Sequence, residues 1–173
     1  GKFAQGWDTL REETFARQKA LGVIPQDAEL TKRHAEIPAW DDMPAPLKPV
    51  LEREMEVYAG FMEHTDYHVG RVIDAIEDLG ILEETLIYCI IGDNGASMEG
   101  TPYGAFNELA ALGGIPEDPA YVLQRLDDIG GPRAYNHYPV GWAWAMNTPF
   151  QWGKQVASHL GGTRNPLVIA WPE

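Results

Sequence analysis

Cysteine is nearly absent from this 173-residue chain. Cys89 stands alone, so no internal disulfide can form and a stapled secreted scaffold gains no support, although export is left open. Basic side chains are scarce as well, with 13 Lys and Arg against 26 Asp and Glu and a net charge of −13. That balance repels phosphate backbones and anionic lipid surfaces, which argues against nucleic acid as a partner. No apolar run approaches the ~20 residues of a membrane span. The opening GKFAQGWD has neither an initiator Met nor an apolar signal core. A phosphate loop is missing too, because Gly161-Gly162-Thr163-Arg164-Asn165-Pro166 lacks the Walker spacing and its terminal Lys-Ser/Thr. His64 and His68 have the spacing of a two-histidine metal site on a helix, but Thr65 stands where that motif carries glutamate, so the pair reads as structural.

What is present suits one globular unit: 45% of residues are apolar and 23% charged, enough for one sizeable core. Residues 7–21 read as a helix, with Thr9 and Glu12 as a capping box, Leu10, Phe15 and Leu21 on one broad apolar side, and Gly22 after the last turn. Residues 23–49 hold five prolines and read as a connection wrapped over the surface rather than a site. From Leu51 to Leu79 apolar positions step by four and three, predicting one long amphipathic helix stopped by Gly80. Its other faces absorb much of the acidity, since residues 51–100 carry 12 acidic and 2 basic groups. Thr85 to Ile91 is apolar on both alternate sets, the pattern of a strand buried on both faces. A long helix leading into such a strand predicts an α/β class with a mainly parallel sheet. One further helix is expected over residues 119–129, and a last strand over Leu167 to Trp171 that stops at Pro172 and Glu173. A core strand at the very end of the chain, with no Met at its start, predicts an internal segment of a larger fold.

The sharpest chemical feature is Gly92-Asp93-Asn94-Gly95, directly after the predicted buried strand. Ligands of open α/β sheets gather outside the carboxyl ends of the strands, and Asp93 and Asn94 offer hard oxygen donors suited to Ca²⁺ or Mg²⁺. The same residues make a plain turn, because Asn-Gly accepts positive φ without steric cost, and pattern alone does not separate the two readings. Two oxygens are in any case too few for Ca²⁺, which takes about six to eight. Lys154, in Phe150-Gln151-Trp152-Gly153-Lys154, is a candidate point charge for an anionic substrate. His137 and His159 fall in irregular sequence that could line a cleft, and no spacing identifies either as an acid. Cys89 lies inside an apolar strand and reads as inert, while Ser97 has no G-x-S-x-G context and no base in view.

Asp93-Asn94-Gly95 after one strand, followed by FQWGKQVASHLGGTRNP before another, resembles the formylglycine-dependent sulfatases, and bacterial arylsulfatases in particular. GKFAQGWDTLREETFARQKALGVIP and YAGFMEHTDYHVGRVIDAIEDLG are similar to the same family, so the resemblance spans the chain. It implies an alkaline-phosphatase-like α/β fold, a sulfate ester as substrate, Ca²⁺ (or Mg²⁺) on Asp93 and Asn94, and Lys154 on a sulfate oxygen, with His159 as a weaker substrate contact. In the family a formylglycine made from Cys or Ser attacks sulfur, but neither Cys89 nor Ser97 stands in the required Cys/Ser-x-Pro/Ala-x-Arg context. Leu160 also stands immediately before Gly161-Gly162, where many relatives have glutamate. Residues 1–173 are therefore expected to be one partial segment of a catalytic domain: helix and Pro-rich connection (1–50), long helix, strand and metal loop (51–97), and irregular region with the lysine and final strand (98–173). Alone, that segment is expected to turn over no sulfate ester and to bind Ca²⁺ weakly. The rivals are a phosphoester or phosphonate-ester hydrolase on the same scaffold and a non-catalytic acidic Ca²⁺-binding module. The resemblance leaves the compartment open between bacterial cytoplasm and periplasm.

Overall fold

Four aromatic side chains organise the centre of the molecule, which a computed structural model describes over residues 1–171. Trp7 and Trp142 have no exposed surface, and Trp142 meets Trp7 at 5.5 Å, Trp40 at 5.5 Å and Phe3 at 5.6 Å between ring centroids. Edge-to-face and tilted arrangements of this kind add to simple area burial. The indole N–H groups are placed as well: Trp7 donates to the Pro38 carbonyl at 3.0 Å and Trp142 to that of Leu51 at 2.9 Å.

Helix α1 (Gly6–Ala20) brings Trp7 to this cluster and packs against α5 (Val140–Met146). It starts beneath Trp40, where Gly6 has φ +80° and an added Cβ would fall 2.1 Å from Trp40 Cγ. This start corrects the capping-box expectation, because Thr9 lies inside the first turn and the N-cap is Gln5, without a side-chain cap bond. The inner face is Trp7 and Arg11, whereas Leu21 is exposed. Buried Arg11 donates to the carbonyls of Trp144, Pro149 and Phe150 and to Thr31, tying α1 to the chain just before Lys154. Burial draws its guanidinium down to about 10.

The Pro-rich connection is not the surface strap that its prolines suggest. Ile37, Trp40 and Met43 are buried in the core, and a single 3-10 turn, Trp40–Asp42, interrupts the irregular chain. Asp8 anchors it by accepting from the Trp40 N–H at 2.8 Å and from Arg33 Nε at 3.0 Å.

Helix α2 (Lys48–Asp78) is the long helix expected, and Gly80 follows it at φ +71°. Its first turns are buried through Val50, Leu51, Glu54 and Met55, while Phe61, Val72 and Leu79 farther along are exposed. The stripe of apolar residues thus runs the whole helix but is covered only at its start. Val50 also joins a second small core with Phe106, Val122 and Ile129.

Strand β1 (Ile87–Ile90) pairs with β2 (Leu167–Ala170), in the register Ile87↔Ala170 to Ile90↔Leu167. The pairing is antiparallel, so the described residues do not show the mainly parallel sheet expected from the helix-strand order. The strand is not doubly buried either: Ile90 is 72% exposed, and all four residues of β2 are exposed. Pro172 and Glu173, read as the stop of that strand, lie outside the described residues.

Between the strands, α3 (Glu108–Leu112) is capped by Asn107 and α4 (Pro119–Leu123) by Asp118. The helix expected over residues 119–129 breaks after α4, and Leu126–Asp128 forms a separate 3-10 turn. The short α6 (Leu160–Thr163) precedes β2. Among the described residues no helix is long and apolar enough to cross a membrane.

Candidate active site

The loop after β1 is built against the segment before β2. Gly92 turns the chain at φ +78°, and the Gly95 N–H donates to the Gly162 carbonyl at 3.0 Å. An added Cβ at Gly95 would lie 1.7 Å from the Gly161 carbonyl oxygen, so two backbones meet there with no room for a side chain. With its amide turned to suit its partners, the Asn165 side chain brackets the Asn94 backbone, donating to the carbonyl and accepting from the N–H at 2.8 Å each. Asn147 accepts from the Ala96 N–H at 3.0 Å and donates to the Trp152 carbonyl at 2.9 Å. The Lys154 N–H donates to the Ala96 carbonyl at 3.0 Å. Trp152 and Gln155, at φ +65° and +75°, hold uncommon backbone conformations on either side of Gly153 and Lys154.

The side chain of Lys154 is held as firmly as its backbone. Its ammonium lies 2.9 Å from Glu99 Oε2, while Gln155 donates to Glu99 Oε1 at 2.9 Å and Ser97 Oγ to Oε2 at 2.7 Å. His137 continues the chain, with Nε2 2.8 Å from Ser97 Oγ and Nδ1 2.7 Å from the Tyr138 carbonyl. A carbonyl only accepts, so Nδ1 carries a hydrogen. Gly100 makes room for this turn, since a Cβ there would fall 1.9 Å from the Tyr138 carbonyl oxygen. Hydrogen bonds from Lys154 and then Ser97 pull the Glu99 carboxyl below the usual range, and the charges of Lys154 and His137 add to the effect. The hydrogen bond to Glu99 in turn raises the Lys154 ammonium, helped by the charges of Glu99, Glu108 and Asp93.

Of the residues expected from sequence, Asp93, Asn94 and Lys154 are brought to one region by these backbone ties. Asp93 is exposed, and its Oδ1 accepts from Asn94 Nδ2 at 2.5 Å. Its second oxygen has no hydrogen-bond partner among the described residues. These hard donors suit Ca²⁺ or Mg²⁺ but form only part of a coordination shell. His159 is exposed, bonded through Nδ1 to Ser158 Oγ at 2.9 Å, with its ring 5.7 Å from Trp152. Ser97 and His137, which had no partners in view along the sequence, turn out to be each other's partners across 40 positions. Glu99 was missed entirely, and its two-residue spacing from Ser97 was the sole local signal.

Glu99, Glu108 and His137 also offer three metal-capable atoms within 4.8 Å of one another, the one such group among the described residues. Glu99 is already engaged by Lys154, Gln155 and Ser97, and both His137 nitrogens are engaged, so their geometry is that of an anchor for Lys154.

The sulfatase family model matches residues 2–173. The chain is 31% identical over 181 residues to an uncharacterized sulfatase of Schizosaccharomyces pombe, an alignment covering 99% of this chain and 30% of that protein. It is 25% identical over 173 residues to an arylsulfatase of Klebsiella aerogenes, covering 99% of this chain and 35% of the relative. The chain thus spans about a third of the length of the curated relatives it matches.

Proposed function

This chain belongs to the sulfatase family, and on that footing we propose that it is a segment of a sulfuric ester hydrolase of the arylsulfatase kind, contributing metal ligands and a sulfate-binding lysine. The observation that carries the reading is the docking of the Asp93-Asn94-Gly95 loop on the Lys154 segment, 50 to 70 residues later, by backbone contacts too close for side chains. A plain surface turn has no need of such ties.

Each residue has a role its chemistry can fill. Lys154 uses one of its three N–H donors on Glu99 and keeps the others for a sulfate oxygen. Its raised ammonium stays charged through the neutral range, as a clamp on an anion requires. Asp93 and Asn94 would hold Ca²⁺ or Mg²⁺ together with donors from outside these residues. When bound, such an ion supplies Lewis-acid stabilisation and a template for the sulfate oxygens. The formylglycine nucleophile would come from outside the 173 residues, which contain no Cys/Ser-x-Pro/Ala-x-Arg. His159 is a weaker candidate substrate contact. The chain would form one partial segment of an alkaline-phosphatase-like α/β domain, with β1 in a larger, mainly parallel sheet whose layers cover the faces exposed here.

The test uses the intact gene product, with Ca²⁺ binding followed by calorimetry and turnover of 4-nitrophenyl sulfate and 4-nitrophenyl phosphate followed by absorbance. We expect Asp93→Ala to weaken Ca²⁺ binding by at least about tenfold and to slow sulfate-ester turnover. A preference for the phosphate ester would move the assignment to phosphoester hydrolysis. Unchanged Ca²⁺ affinity in the variant would remove Asp93 from the metal site.

A further inference from the structure

The turn that presents Asp93 and Asn94 is held by a side chain to which the proposed chemistry gives no part. Continued past Ile90↔Leu167, the β1–β2 register sets Gly95 against Gly162, and the Gly95 N–H does meet the Gly162 carbonyl at 3.0 Å. The Ile91 N–H reaches the Pro166 carbonyl at 3.1 Å, but Pro166 has no N–H with which to return the bond. Between these two rungs Gly92, at φ +78°, turns the chain out of line, and among the described residues no backbone bond ties positions 92–94.

Asn165 closes that gap. Its carboxamide, donor and acceptor together, stands in for a backbone peptide: it accepts from the Asn94 N–H and donates to the Asn94 carbonyl, at 2.8 Å each. The two bonds hold the peptide planes on both sides of the Asn94 Cα, which fixes φ and ψ of Asn94. The first of those planes starts at Asp93, so one side chain positions the backbone of both residues. An aspartate of the same shape would lack the donor and set a carboxylate oxygen against the Asn94 carbonyl. Left to itself, Asn-Gly is a permissive turn. Ligand oxygens must lie within about 0.2 Å of their proper distances, and a loop that is ordered only on binding loses affinity to the cost of ordering it.

Resting on the reading of Asp93 and Asn94 as metal ligands, we infer that Asn165 is the positioning residue of the metal loop. It acts through the Asn94 backbone rather than on the ion, and it sets the loop before the cation arrives.

The first test needs neither metal nor variant. In amide hydrogen exchange on the intact gene product without Ca²⁺, corrected for intrinsic rates, the Asn94 N–H should exchange at least about fivefold more slowly than that of Asp93, the scale of one net hydrogen bond. Asp93 N–H is the internal control, since it has no acceptor among the described residues. The second test is calorimetry with CaCl₂, in which Asn165→Ala should bind about 10- to 100-fold more weakly than the parent, as loss of an outer-shell partner does. In the same variant the Asn94 N–H should lose its protection while the Gly95 N–H, bonded to Gly162, keeps its own. Equal exchange at Asn94 and Asp93 in the parent, or a folded variant that binds Ca²⁺ within about twofold of the parent, would overturn the inference. Protection lost throughout β1 and β2 would do so too, by making Asn165 a residue of the sheet's stability. Asp93→Ala, measured alongside, separates this role from the metal assignment. If Asp93→Ala weakens Ca²⁺ binding and Asn165→Ala does not, the role of Asn165 falls and the metal site stands; if neither does, both fall.

Discussion

Lys154 and Glu99 act on each other in ways that pH can separate. Glu99 sits below its ordinary value of 4.5 in the folded protein, so its contribution to stability is present above that value and disappears as pH falls through the folded one. Lys154 is raised above 10.5, so its contribution is present below that value and disappears as pH rises through the folded one. The melting-temperature gap between the parent protein and Glu99→Gln should therefore stay level from about pH 5 to 10 and close on either side. A gap that persists unchanged at about pH 3 would show that Glu99 contributes through packing rather than charge. Lys154 could be singled out from sequence by its aromatic and glycine-rich neighbours. Glu99 could not, because its contacts cross 55 positions and leave no period in the chain.

Helix α2, 31 residues long, was legible because its apolar steps repeat from Leu51 to Leu79, and a pattern of that length outweighs local noise. Helix α5 was not, since Val140-Gly141-Trp142-Ala143-Trp144 has apolar or small residues all round and no polar face to set a period. Tertiary packing makes the helix: Gly141 lies against Trp7, where a Cβ would fall 2.4 Å from the ring. Trp142→Ala should accordingly cost about 3–5 kcal/mol of stability, as deletion of a fully buried aromatic does. Urea denaturation of the two proteins measures this directly, and a loss below about 1 kcal/mol would mean that the tryptophan cluster is not the organising core. The same packing explains why the Pro-rich connection misled, for its prolines forbid regular structure without keeping Ile37, Trp40 and Met43 out of the interior.

The α/β class was legible through the family resemblance, whereas the described residues show one antiparallel strand pair and leave the parallel sheet without support. Thr85 to Ile91 is apolar on both sides as a central strand should be, yet among the described residues β1 has one partner, and that partner is antiparallel. If other parts of a longer domain cover these faces, Ile90→Ala should cost about 2–5 kcal/mol in the intact gene product and under about 1 kcal/mol in the 173-residue chain alone, where Ile90 is 72% exposed. Equal costs in the two proteins, compared by denaturant unfolding, would count against a covered sheet. The proposed activity rests most directly on Lys154, whose backbone and ammonium are both fixed beside the Asp93 loop. The decisive measurement is the turnover of 4-nitrophenyl sulfate by the intact gene product and by Lys154→Ala, with circular dichroism as the check on folding. A folded variant whose kcat falls by about 10²–10³ is the predicted result, and a folded variant that turns over within about twofold of the parent would contradict the account.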